Sequence, residues 1–145
     1  MNAAPGRFLL AALVLAACSG EPETGPVAVA WDRDACEHCY MTVGDRRTAA
    51  EVRVEPGGPV HVFDDLGCAL LYLDERPEPS DFAELWVRDL SGDRWLDGRT
   101  ARYVEVPSTP MEYGFAAVES PAGISLDEAW KAIREMEDER RSARR

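Results

Sequence analysis

The chain has 145 residues, a length that suits one domain and allows a buried core without disulfide staples. With 46% hydrophobic and 30% charged residues, its composition is that of a globular protein and not of a disordered one. Sixteen basic against 27 acidic side chains leave a net charge of −11, which argues against nucleic acid as a partner, because phosphate binding needs Lys and Arg patches.

Residues 1–17 read as a signal peptide. Arg7 gives the positive start, and Phe8 to Ala17 is an apolar run of ten residues, too short for a spanning helix of about 20. It ends in Leu15-Ala16-Ala17-Cys18, which resembles the bacterial lipobox, where the chain is cut before the cysteine and that cysteine is acylated. An ordinary secretory signal and a short membrane anchor are the alternatives. On the lipobox reading, acyl chains on Cys18 hold the protein at a membrane, at about 0.8 kcal/mol per buried CH₂. Residues 18–27 then form a flexible polar tether, residues 28–136 the domain, and residues 137–145 a charged tail expected to fray.

Within the domain, Ala50, Val52 and Val54 alternate with charged residues, the period of a half-buried strand. Pro56-Gly57-Gly58-Pro59 marks a turn, and Val60 to Phe63 returns as a second strand. Asp64 or Asp65 caps a helix starting near Leu66, whose Leu66, Ala69, Leu70 and Leu73 share one face. Cys68, Leu71 and Tyr72 make its other side apolar, so burial on both sides is expected, and the prolines at 77 and 79 end it. Phe82–Leu90, Trp95-Leu96, Arg102–Val106 and Tyr113–Val118 read as strands. Ser125 and Glu128 form a capping box before a helix carrying Leu126, Ala129, Trp130, Ile133 and Met136. This order gives an α+β fold with a mainly antiparallel sheet.

Chemistry concentrates in Cys36-Glu37-His38-Cys39-Tyr40-Met41. A CxxC turn brings two sulfurs to one side, and the thioether of Met41 adds a third. Such a soft set suits Cu(I) better than hard cations. A redox pair and a structural disulfide are the other readings, since the compartment outside the cytoplasm is oxidising. The thioredoxin-like version loses ground because too few residues precede Cys36 to build its strands and helix. Once Cys18 is set aside, Cys36, Cys39 and Cys68 remain, an odd number, so at least one has no partner within the chain. His38, between the cysteines, and His61, on the second strand, are possible additional ligands, or a loop side chain and a solvent-facing one. Cys68, at a helix start, is a ligand candidate or a small core residue. Met111, in Thr109-Pro110-Met111, is a distant ligand or part of the core. No GxSxG, HExxH or phosphate loop is present, so the expectation is not an enzyme.

The series Cys36-Glu37-His38-Cys39-Tyr40-Met41, Ala49-Ala50-Glu51-Val52, Phe63-Asp64-Asp65-Leu66-Gly67-Cys68, Trp86-Val87-Arg88-Asp89, Trp95-Leu96-Asp97, Ala101-Arg102-Tyr103-Val104 and Thr109-Pro110-Met111 covers nearly all of the domain. Behind a lipobox, it resembles the NosL family, the lipoprotein accessory factors of nitrous-oxide reductase. The resemblance implies two small ββαβ halves and Cu(I) bound through sulfur. It also implies delivery outside the cytoplasm to nitrous-oxide reductase, with that enzyme and its assembly proteins as partners. On this reading Cys36, Cys39 and Met41 form the primary site, with Met111 the best outside ligand and Cys68 a weaker candidate. Many relatives carry Gly before the Met of this motif; here it is Tyr40.

Overall fold

The period-two stretch forms β1 (Ala50–Arg53) in a computed structural model that describes residues 22–145. The signal peptide and Cys18 lie outside the described residues. The Pro-Gly turn returns the chain as β2 (Val60–Phe63), antiparallel to β1, with Ala50 opposite Phe63 and Arg53 opposite Val60. The helix α1 (Leu66–Asp74) follows at once. Of the two candidate caps it is Asp65 that serves: its backbone is extended and its carboxylate accepts the Gly67 N–H at 2.8 Å. The helix ends at Asp74, before Pro77.

The chain then enters β3 (Glu84–Arg88) on the other side of β1, and β4 (Trp95–Asp97) pairs outside it. The sheet order is β2-β1-β3-β4, antiparallel throughout, and β1-β2-α1-β3 is a ββαβ unit. A second, two-stranded antiparallel sheet joins β5 (Arg102–Glu105) to β6 (Phe115–Val118), followed by α2 (Leu126–Ala143). The Leu90 N–H donates to the Ala117 carbonyl at 2.8 Å and links the two sheets. The Ser125–Glu128 capping box is formed as its sequence predicts. The fold is thus α+β with two main helices over antiparallel sheets.

One face of the larger sheet carries Ala50, Val52, Phe63, Leu85 and Val87, all buried with Leu66, Ala69, Leu70 and Leu73 of α1. Full burial of each large apolar side chain contributes about 1.5–3 kcal/mol, so this layer holds α1 in place. The buried half of α1 is Leu66 to Leu70 with Leu73; Leu71 and Tyr72 are only half-buried, so the second side of the helix is partly open.

The other face departs from expectation. β1 is buried at all four positions, including Glu51 and Arg53, which alternation places toward water. The reason is the segment 22–31, which runs across this face. Arg53 Nη2 donates to the carbonyls of Pro22 (3.0 Å) and Gly25 (3.2 Å). Glu84 accepts the Gly25 N–H at 2.9 Å, and Glu51 accepts the Val27 N–H at 2.9 Å. Further along, the Trp31 ring lies under the guanidinium groups of Arg46 (4.6 Å) and Arg88 (5.6 Å). From residue 22 on, the expected tether is therefore a strap. Its own composition is polar and irregular, but the sheet supplies the partners that its backbone groups require.

The tail also differs. The stretch expected to fray continues α2 to Ala143. Glu137 accepts the Tyr113 hydroxyl at 3.0 Å, and Arg140 donates to the carbonyls of Met111 (2.9 Å) and Glu112 (2.8 Å). Arg140 and Arg141 in the last turn also complement the helix dipole.

The Tyr113 ring packs flat on Gly67, where any Cβ would overlap its atoms. Gly67→Ala is expected to cost about 1–3 kcal/mol through overpacking, measured by urea denaturation.

Candidate metal centre

The CxxC turn closes on itself before it meets anything else. The Cys36 N–H donates to the Met41 carbonyl (2.8 Å), and the Tyr40 N–H donates to the Cys36 carbonyl (2.9 Å). A β-bridge between Ala35 and Thr42 seals its base. The Glu37 N–H donates to the Val62 carbonyl at 3.0 Å, which fastens the turn to the edge of β2. Two residues beyond Val62, the chain leaves the strand at Asp64 and starts α1, with Cys68 in its first turn. Asp64 stands just before the extended cap Asp65, and the sharp change of direction there brings its side chain beside that of Cys68.

These three pieces bring Cys36, Cys39, Asp64 and Cys68 together, with their sulfur and carboxylate oxygen atoms all within 4.8 Å of one another. All three cysteines are free thiols. Cys36, Cys68 and Asp64 are buried, and Cys39 is half-buried. The Cys39 thiol faces Asp64 Oδ1 at 3.5 Å, and the Thr48 hydroxyl donates to the Asp64 carbonyl at 2.9 Å. The arrangement is a side-chain group capable of coordinating a metal ion.

Four acids this close do not all ionise. The Cys36 thiol is pulled down to about 4, first because Cys68 donates a hydrogen bond to its sulfur, helped by the backbone N–H groups of Cys39, Asp64 and His38. Cys68 is pushed up, chiefly by that same bond and then by burial. Burial lifts Cys39 to about 12, the nearby Cys36 charge adding to it. Burial also lifts Asp64 to about 7. The group thus holds one thiolate and several protons, and a cation entering it displaces those protons.

The sequence candidates divide clearly. Cys36 and Cys39 are together, as expected. Cys68, the weaker candidate on sequence, is an integral member of the group. Met41 stands on the turn with 44% of its surface exposed, and its N–H favours the Cys39 thiolate. Met111 is half-buried against the core, and its N–H donates to Asp65 at 2.9 Å, beside the residue that joins the thiols. His38 and His61 do not complete the group. His38 Nδ1 lies 3.6 Å from Glu75, while His61 stacks on Tyr72 (5.1 Å between ring centres) and lies 3.9 Å from Glu37. The residue missed on sequence is Asp64, read only as a possible cap.

Tyr40 adopts the left-handed backbone (φ 64°) and is 81% exposed. This explains in physical terms why glycine suits the position before the Met: the turn reverses there and a Cβ is strained. Compared with known family models, curated proteins and solved structures, the chain matches none.

Two outcomes are expected. Relief of about 1–2 kcal/mol of left-handed strain outweighs a glycine entropy cost of about 0.4–1 kcal/mol, so Tyr40→Gly should raise stability slightly in urea denaturation. Ultraviolet absorbance of the reduced, metal-free protein at neutral pH should show one thiolate per chain, lost on acidification toward about 4. Cys68→Ala removes the donor and should move that transition upward.

Proposed function

We propose that this chain is a Cu(I) carrier of the NosL kind, lipid-anchored outside the cytoplasm, which holds the ion as cargo for the copper centres of nitrous-oxide reductase. The observation that carries the reading is the convergence of three free thiols and one buried carboxylate within 4.8 Å. Three sulfurs are a soft set, and Cu(I) accepts low coordination numbers that leave room for a partner's ligand. Cys36, Cys39 and Cys68 form the inner set. Met41, exposed on the turn beside Cys39, meets the ion as it enters and leaves. Met111, on the loop fastened to Asp65, is a second thioether for the same ion. The membrane part of the reading rests on the lipobox; among the described residues, no helix is long and apolar enough to cross a membrane.

Asp64 raises a second reading for the ion, because three thiolates and a carboxylate also make a tetrahedral Zn(II) set. In the Cu(I) reading, Asp64 is a proton acceptor for Cys39 and not a ligand. A thiol–disulfide protein acting through Cys36 and Cys39 is the reading from another class. It needs an accessible, low-pKa nucleophile. Here the thiol pulled down is the fully buried Cys36, and the more accessible Cys39 is pushed up.

Reduced protein titrated with Cu(I) against a chromophoric chelator should bind about one ion per chain, as one site predicts. X-ray absorption should then find sulfur neighbours only. Asp64→Asn should keep Cu(I) affinity within about tenfold, the lower range for a group acting behind the ligands. Full Cu(I) affinity in a Cys36→Ser, Cys39→Ser double variant would sink the assignment. Reversible dithiol cycling, untouched by Met41→Leu and without metal uptake, would favour the redox reading instead.

A further inference from the structure

The start of the strap and the metal group lie at opposite ends of the same sheet. The β1–β2 register makes this explicit. Arg53 is opposite Val60 and Glu84 at one end, while Ala50 is opposite Phe63 and Val87 at the other. Arg53 holds the carbonyls of Pro22 and Gly25, and its Nη1 also donates to the Gly58 carbonyl in the β1–β2 turn. The strap therefore starts at the turn end. Val27 is bound one step further along, at Glu51, and Trp31 lies further still, at Arg88, the residue after Val87. It climbs the sheet and delivers the chain to the CxxC turn, which is fastened to the outer edge of β2 at Val62 and brings its thiols to Asp64, the residue after the far end of that strand.

Arg53 is 2% exposed and ion-paired to Glu84 (3.4 Å), so its hold on the strap is built into the fold. Only Ser19, Gly20 and Glu21 separate Cys18 from Pro22. Fully extended, that leash reaches at most about 14 Å. The four residues of β2 add a further separation of about 10 Å between the turn end and the metal end.

We propose that the β1–β2 turn end of the domain faces the lipid bilayer and that the metal group opens at the opposite end, into the aqueous compartment. This rests on acylation of Cys18, the address read from the lipobox. The consequence concerns the partner: the ion passes to a water-exposed domain that meets the CxxC turn from above the membrane, and not to a site within the bilayer. Tyr40 and Met41, the large apolar side chains exposed among the described residues, are both on the CxxC turn that carries the thiols. On a face turned to lipid their exposure would bring them to the bilayer; turned away, it offers them to a protein.

The test uses the full acylated chain in phosphatidylcholine vesicles that contain a lipid with a nitroxide on its headgroup. A coumarin amino acid replaces Glu55, in the β1–β2 turn, or Tyr40, in the CxxC turn. The label at position 55 should be quenched several-fold more than the label at position 40. Insertion of a flexible Gly-Ser stretch between Glu21 and Pro22 should abolish the quenching at 55, because the leash no longer holds the domain down. Equal quenching at the two positions, stronger quenching at 40, or none at either on an acylated chain would overturn the orientation. Intact mass identifies the other failure: a chain without acyl groups on Cys18 overturns the proposal through its address and not its geometry. The quenching difference does not depend on copper, so a negative Cu(I) titration would refute the carrier reading alone.

Discussion

Two adjacent carboxylates at the junction of β2 and α1 organise the molecule, and they do opposite jobs. Asp65 turns inward along the helix axis. It accepts the Gly67 N–H, the Met111 N–H and the Thr109 hydroxyl, the last at 2.5 Å. Burial raises its pKa, and these donors oppose that shift. Hydrogen bonds to a charged group contribute about 1.5–3 kcal/mol each, so one side chain both starts the helix and fastens the Thr109-Pro110-Met111 loop to it. Asp64, one residue earlier, faces the thiols. Its position follows from that of Asp65, because a capped helix start fixes where the preceding residue and Cys68 project.

The thiol group is assembled from two segments that are far apart in sequence, the CxxC turn and the helix start. The join is the backbone bond from Glu37 to Val62, on the strand that leads directly into Asp64. Electrostatics then follow from proximity. Burial disfavours charge on Cys39, Cys68 and Asp64, while the bond from Cys68 and several backbone N–H groups favour it on Cys36. One anion in a shell of protonated donors is a group that can coordinate a metal ion by giving up protons.

The strands, both helices, the capping box and the antiparallel α+β class were legible from periodicity and turn chemistry, because these depend on residues close in sequence. The Cys36–Cys39 pair was legible for the same reason. Cys68 was ambiguous, since a cysteine in an apolar helix reads equally as core, and Asp64 was hidden by its resemblance to a cap. At both ends of the described chain the structure is more ordered than composition suggests. Residues 22–27 are polar with Pro and Gly, and residues 137–145 are almost entirely charged, so local composition gave no hint of order. Their partners are Arg53, Glu84 and Glu51 in one case, Tyr113 and the Met111–Glu112 carbonyls in the other.

The sequence by itself determined the elements and the soft character of the sulfur donors, since both are carried by short-range pattern and side-chain chemistry. Tertiary structure decided which donors share one site. It placed Cys68 and Asp64 beside the CxxC pair, put His38 and His61 with glutamates, and turned an apparent tether into a strap. The physical reason is the same each time. Ligand sets and buried ion pairs are made by contacts between distant residues, and register and packing, which local pattern does not encode, choose those contacts.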